Sequence, residues 1–268
     1  MNKTIPTIIA LLVLLGGGIA AYLYFFQDKQ TQPTPVATQE QELPTEALEA
    51  PEPEGRKVLN APSENITLPP LESSDDFMAN ALANLLNNKA LMAIFTSKQL
   101  IRNIVVTIDN LPRKQVSMRL MPIKKAPDKF LTMESDGQTV ISPNNETRYA
   151  QYMSFAEAVD PKQLVELYIQ LYPLFQKSYE ELGYPDQYFN DRMLVVIDNL
   201  LVTPEIKEPV SVVQPKYFYL YADPDLESRS IGQRILMRIG SDNAMIIKAK
   251  LKEIKEELIL HMHEQKIE

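Results

Sequence analysis

The chain has 268 residues, a formal net charge of −8 and no cysteine, which excludes a disulfide framework, a thiolate nucleophile and a thiolate metal site. Two His, no Trp and eight Gly leave little for a metal centre or a glycine cradle around phosphate, and no phosphate-loop, H-E-x-x-H or G-x-S-x-G spacing occurs. The length allows one or two domains.

Residues 1–6 precede a run of 20 residues without charge, Thr7 to Phe26. Such a run is long enough to cross a ~30 Å hydrocarbon layer as one helix. A cleaved signal peptide is the competing reading, with Gly18-Ile19-Ala20 as a loose cleavage site. The apolar run nevertheless continues to Phe26, past the ~7–15 residues of a signal core. Tyr22 and Tyr24 suit an interfacial aromatic belt. Lys3 lies before the run, and Asp28 and Lys29 cancel after it. Positive charge stays in the cytoplasm, so the expectation is a single-pass bacterial inner-membrane protein with a periplasmic C-terminal body. Gly16, Gly17, Ala20 and Ala21 form two small-xxx-small pairs, a face through which two anchors could meet as a homodimer.

Residues 27–74 read as a disordered linker rich in Pro, Glu, Thr and Gln, with no apolar periodicity. From 27 to 76, 11 acids stand against Lys29, Arg56 and Lys57, a net of −8, whereas 77–268 carries 23 Lys/Arg and 24 Asp/Glu, a net of −1. The acidity belongs to the linker. As a coil it reaches roughly 40 Å on average and up to about 160 Å when pulled straight.

Residues 75–268 are expected to form a mainly helical domain with a small β-hairpin. Ser73-Ser74-Asp75-Asp76 should cap a helix running to about Asn87. Ala90 to about Leu111 reads as one helix ended by Pro112. Lys129–Glu134 and Gln138–Ile141 flank Ser135-Asp136-Gly137 as a hairpin. Asp160-Pro161 opens a helix closed by Gly183 and Pro185. Asp186–Val202 follows as a helix. Val210–Tyr221, interrupted by Pro215, reads as an edge strand or extended arm. Asp223-Pro224 is another start, Ser230-x-x-Gln233 a capping box for a helix to Ile239, and Ser241 to about Gln265 a last charged helix.

Two stretches nearly repeat each other, N-I-V-V-T-I-D-N-L at 103–111 and M-L-V-V-I-D-N-L-L at 193–201. Both place Asp-Asn near a helix C-terminus, where the dipole disfavours a carboxylate unless it is paired. Arg113 is the near partner for Asp109 and Arg192 for Asp198, so both Asp-Asn pairs read as buried polar ties. Tyr184-Pro-Asp-Gln-Tyr-Phe-Asn-Asp-Arg192 is the densest polar-aromatic cluster and could line a pocket, with Asp191, Arg192 and Asp109 as the centre of an enzymatic alternative. Arg113, Lys114, Arg119, Lys124, Lys125 and Lys129, against Asp128 alone, make a stretch of net +5 over 17 residues. It suits an anionic polymer, an acidic partner or the chain's own linker. His261 and His263 diverge by ~200° on a helix and cannot share a metal, so no metal or cofactor is expected.

Asn110-Leu-Pro-Arg113, Tyr188-Phe-Asn-Asp-Arg192, Val213-Gln-Pro-Lys216, Ala222-Asp-Pro224 and Gly232-Gln233 through Arg238-Ile-Gly240 together resemble the bacterial domain-of-unknown-function family 3014. The resemblance covers roughly 75–262, together with the preceding anchor and linker, and implies no activity, cofactor or catalytic residue. The expectation is a binding protein, whose contact residues are Arg113, Lys114, Arg119, Lys124, Lys125, Asn190, Asp191, Arg192 and Lys216. Its partner would be an envelope protein or anionic polymer and not nucleic acid. The alternative is an envelope enzyme using an Asp/Arg pocket.

Overall fold

Asp160-Pro161, the strongest start signal in the sequence, opens the helix on which the fold is built. Asp160 accepts a hydrogen bond from Gln163 N at 2.9 Å, Pro161 takes the first helical position, and the helix runs Pro161–Glu181. Gly183, at φ +106°, turns the chain after it. The computed structural model describes residues 67–86, 89–96, 98–114, 121–207 and 209–264. In chain order its helices are α1 (Asp75–Leu86), α2 (Leu100–Asn110), α3 (Ala150–Ala158), α4 (Pro161–Glu181), α5 (Phe189–Leu201), α6 (Pro224–Glu227), α7 (Ile231–Arg238) and α8 (Ser241–Glu264). Its strands are β1 (Thr132–Ser135), β2 (Gln138–Ile141), β3 (Val212–Val213) and β4 (Leu220–Tyr221). The expected anchor, the linker as far as residue 66 and Arg119 lie outside the described residues.

The body is mainly helical, as its periodicity indicates. Leu164, Leu167, Tyr168, Leu171, Phe175 and Tyr179 form the buried stripe of α4. α2, α5 and α8 pack around it, and their apolar residues join one core. Leu68 and Leu71 also pack against this core, ahead of α1. Two lysines of α8 complete helix C-termini elsewhere. Lys250 Nζ donates to Val159 O at 3.0 Å at the end of α3, and Lys248 Nζ donates to Thr203 O beyond α5.

Three expectations are corrected. The single helix over 90–111 is split into a 3₁₀ turn, Lys89–Ile94, and α2. Between them Thr96 N bonds Pro122 O, and Gln99 takes a left-handed φ of 50°. Asp75, expected to cap α1, instead accepts from Gln99 N and Leu100 N, both at 2.8 Å, at the start of α2. Val210–Tyr221 is a tight pair, β3 with β4, that leaves Pro215 in the turn between them. The 3₁₀ turn Pro143–Tyr149 and α3 lie outside the expected elements, although Ser142-Pro143 opens the turn as Asp160-Pro161 opens α4, with Ser142 Oγ accepting from Asn144 N at 3.3 Å.

The hairpin forms where its turn chemistry requires. Asp136 (φ 51°) and Gly137 (φ 73°) supply the two positive dihedrals of a two-residue loop, and β1 pairs β2 from Thr132↔Ile141 to Ser135↔Gln138. Ile141 N donates to Val210 O at 2.9 Å and Val140 bridges Ser211, so two two-stranded sheets, β1-β2 and β3-β4, meet through a single bridge. Their inner face sets Ile141, Val210 and Tyr221 against Met237 of α7.

Burial raises the hydroxyl pKa of Tyr149, Tyr168, Tyr172, Tyr179 and Tyr221 and pushes that of Tyr152 up to about 12. A raised folded-state pKa favours the neutral form in the folded chain, while the unfolded chain ionises near pH 10. Stability from these groups is therefore complete below about pH 10 and is lost as pH climbs through their folded values. Denaturant midpoints are expected to hold to about pH 9 and to fall between pH 10 and 12; unchanged midpoints across that window would contradict this.

Candidate functional site

α2 ends where Pro112 forbids continuation, which puts Asp109 in its last turn. The helix dipole opposes a carboxylate there, and burial opposes it further, since Asp109 is only 4% exposed. Two arginines answer both costs. Arg113, one turn on, donates Nη2 to Oδ2 at 2.8 Å. Arg192, in the first turn of α5, donates Nε to Oδ1 at 2.9 Å and Nη2 to the Asp109 backbone carbonyl at 2.6 Å. Tyr184 completes the knot. Its hydroxyl accepts from Arg113 Nη2 at 2.9 Å, donates to Oδ2 at 3.4 Å, and its ring stacks on Tyr179 at 4.6 Å. Burial pushes the Tyr179 hydroxyl pKa up, and the Asp109 charge adds to that.

The chain leaving α2 is then received by α7. Ile231 N donates to Arg113 O at 2.7 Å and Gly232 N to Leu111 O at 2.9 Å, so the first amides of α7 are satisfied by the loop after α2. Arg234 donates to Lys114 O and pairs with Glu227. Gly232 is required by close approach. A Cβ there would lie 2.7 Å from Leu200 Cδ2 and 3.2 Å from Leu111 O. Ser230 caps α7 by accepting from Gln233 N at 3.3 Å and donates to Asn199 Oδ1 at 2.8 Å. The expected capping box is only half made, because the Gln233 side chain bonds Asn199 O at 2.8 Å instead of reaching back.

The two Asp-Asn pairs therefore differ. Asp109 is buried and Asn110 Nδ2 bonds Val106 O at 2.7 Å, one turn back. Asn199 ties α5 to α7. Asp198, expected to be buried with Arg192, is 54% exposed and pairs with Lys255 of α8, while Arg192 belongs to Asp109.

The remaining candidates are dispersed. Asn190 is buried, its Oδ1 accepting from Tyr168. Asp191 stands beside it in the first turn of α5, half-buried. A cavity of about 20 Å³ lies between α2, α4, α5 and α8, walled by apolar side chains and the Tyr168 ring; neither Asp109 nor Arg192 lines it. Asp109 and Arg192 do meet, as partners of each other. Lys114, Lys124, Lys125 and Lys129 are exposed, and Lys216 lies exposed in the β3–β4 turn. Among the described residues no group of three or more His, Asp or Glu could hold a metal. Sequence reading missed three buried arginines. Arg148 donates to Pro127 O, Asp128 O and Asn145 Oδ1, each at 3.1 Å. Arg238 donates to Tyr219 O at 2.6 Å and lies over the Tyr221 ring, and Arg234 holds Lys114 O. The available signal was Arg234 and Arg238 beside Ile231, Ile235, Leu236 and Met237 in α7.

A family model described as "Protein of unknown function (DUF3014)" matches residues 100–255, from the first residue of α2 into α8. No curated protein and no solved structure matches.

Two sets of substitutions test this geometry. Asp109→Ala leaves the part-buried Arg192 without its carboxylate while Arg113 turns to solvent, and is expected to cost about 2–3 kcal/mol, whereas Asp198→Ala at the surface should cost less than about 1 kcal/mol. Equal losses in denaturant unfolding would remove the distinction. Gly232→Ala should cost about 1–3 kcal/mol, because Leu200 must move and the Leu111 carbonyl cannot.

Proposed function

This chain belongs to the DUF3014 family, whose description names no activity, and from that premise we propose that it is a membrane-anchored binding protein of the bacterial envelope. In this reading residues 7–26 hold it in the inner membrane, the acidic linker gives reach, and the helical body contacts a periplasmic partner, an acidic protein or anionic polymer. No helix among the described residues is long and apolar enough to cross a membrane, so the proposed anchor rests on the apolar run at 7–26.

One observation carries the reading. Three polar groups of the family-like words are engaged with neighbours in the body: Arg113 and Arg192 on Asp109, and Gln233 on Asn199. The lysines of 114–129 stay at the surface. Lys124 is held there by its backbone, whose N–H bonds Ile94 O at 2.7 Å and whose carbonyl accepts from Tyr152 at 3.1 Å. A cation on a fixed backbone loses less freedom on meeting an anion than one on a mobile loop. Arg113 has a double part, one Nη on Asp109 and half its side chain in solvent.

The test is charge reversal in the full chain. Lys124→Glu, Lys125→Glu and Lys129→Glu together should leave thermal unfolding within about 1 kcal/mol of the parent, since all three are exposed. Crosslinked capture of envelope partners in intact cells should fall by about tenfold or more, and binding of the parent should weaken with rising salt. Undiminished capture by the triple variant would remove the basic stretch from the proposal. A reporter fused to the C-terminus that is active only outside the cytoplasm tests the orientation separately.

A further inference from the structure

The β1–β2 hairpin has a free edge with an unusual charge order. In a two-residue hairpin the pairs closing the loop alternate between hydrogen-bonded and non-bonded. Ser135↔Gln138 and Met133↔Val140 are therefore the bonded pairs, and the N–H and C=O of Thr132 and Glu134 point away from β2. The same alternation on β2 turns Ile141 outward, where its N–H meets Val210 O. On β1 nothing answers it: among the described residues the outward groups of Thr132 and Glu134 have no backbone partner. The opposite border is closed, since Tyr221 N donates to Glu227 at 2.9 Å and Tyr219 O accepts from Arg238.

The side chains along this edge are self-complementary. Lys129 stands at one end, Glu134 and Asp136 at the other, with Leu131 (41% exposed) and Met133 (46% exposed) between them. By register Leu131 and Met133 share one face with Val140, Ser211, Val213 and Leu220, and Val140 at its centre is buried. Val213, like Leu131 and Met133, is exposed. Strand edges are ordinarily blunted by short length, charge, proline or a bulge; here the strand is short and Lys129 and Glu134 flank it, but Leu131-Thr132-Met133 carries no proline and no charge.

We propose that β1 is the docking edge for a second copy of this chain, paired antiparallel about a two-fold axis at Met133. About that axis Thr132 faces Glu134 of the second copy, and these are the residues whose outward groups are open. Two such pairs give four backbone hydrogen bonds. Met133 faces its own counterpart in a non-bonded pair, and Lys129 comes beside Asp136 at each end. A two-fold axis demands that one surface complement itself, which the order Lys129, apolar centre, Glu134 and Asp136 does. A parallel copy would put like charges together. The interface is smaller than the about 1,600 Å² of a standard complex, so the pairing is expected to be weak and to form at high local concentration. It is independent of any contact through residues 7–26.

The absence of cysteine makes the test direct. Facing Cα atoms in a non-bonded antiparallel pair lie about 4.5 Å apart, within the range a disulfide spans. Full-length Met133→Cys is expected to form a disulfide dimer under mild diamide oxidation at least about tenfold faster than Leu260→Cys, a comparably exposed site on α8. Adding Thr132→Pro removes an outward N–H but no β1–β2 bond, and should abolish the excess while leaving denaturant stability within about 1 kcal/mol. Equal rates for the two cysteines would overturn the proposal. So would an excess that survives Thr132→Pro, or a Met133→Cys chain that stays monomeric because another segment, such as residues 27–66, covers the edge.

Discussion

A single buried carboxylate sets the frame of this domain. Asp109 sits where both the helix dipole and burial oppose it, and it persists because Arg192 and Arg113 clasp both its oxygens. The clasp does more than neutralise charge. Arg192 also holds the Asp109 carbonyl, which locks the end of α2 to the start of α5. Pro112 then releases the chain, and the carbonyls of Leu111 and Arg113 meet the first amides of α7. At the far end of α7, Arg238 holds Tyr219 O and lies over Tyr221, which places the strands. α2, α5, α7 and the strands are thus linked in turn, starting from the two ion pairs of Asp109.

What the sequence made legible follows the range of the forces. α4 could be read because its start, stripe and stop are local, and β1–β2 because Asp136-Gly137 dictates its turn. The break before α2 could not, since the group that caps α2, Asp75, lies 25 residues earlier in the chain. Pairing failed in the same way. Arg192 is nearer Asp198 in sequence, yet it crosses to Asp109, 83 residues away. The exposure of Asp198 was readable in principle. Met193, Val196, Ile197 and Leu200 define the buried side of α5, and position 198 falls off it. Along α2 nearly every position from 100 to 109 is buried, so no such face exists to separate Asp109. Buried candidate-site partners such as Ser230 and Gln233 were visible only as capping residues, because a side chain's second bond is a tertiary fact.

The irregular segments are held by arginine. With eight glycines in the whole chain, few loops can rely on backbone freedom. Arg148 gathers Pro127 O and Asp128 O beside the left-handed Asp128, and Arg234 and Arg238 do the same for Lys114 and Tyr219. The planar guanidinium can serve several carbonyls at fixed angles, which lysine cannot. What stays at the surface is the group of lysines between α2 and β1 and the outer edge of the hairpin.

The placement of α8 has a consequence for how the domain is made. Its buried residues Ile247, Leu251, Ile254, Leu258 and Met262 close the core against α4 and α5, and its lysines finish the carbonyl ends of α3 and α5. Without α8 the other helices would keep an unsealed apolar groove and unanswered helix ends. Its docking is the step that closes the core, and a chain cut before residue 247 is expected to expose that groove and aggregate rather than fold as a smaller domain.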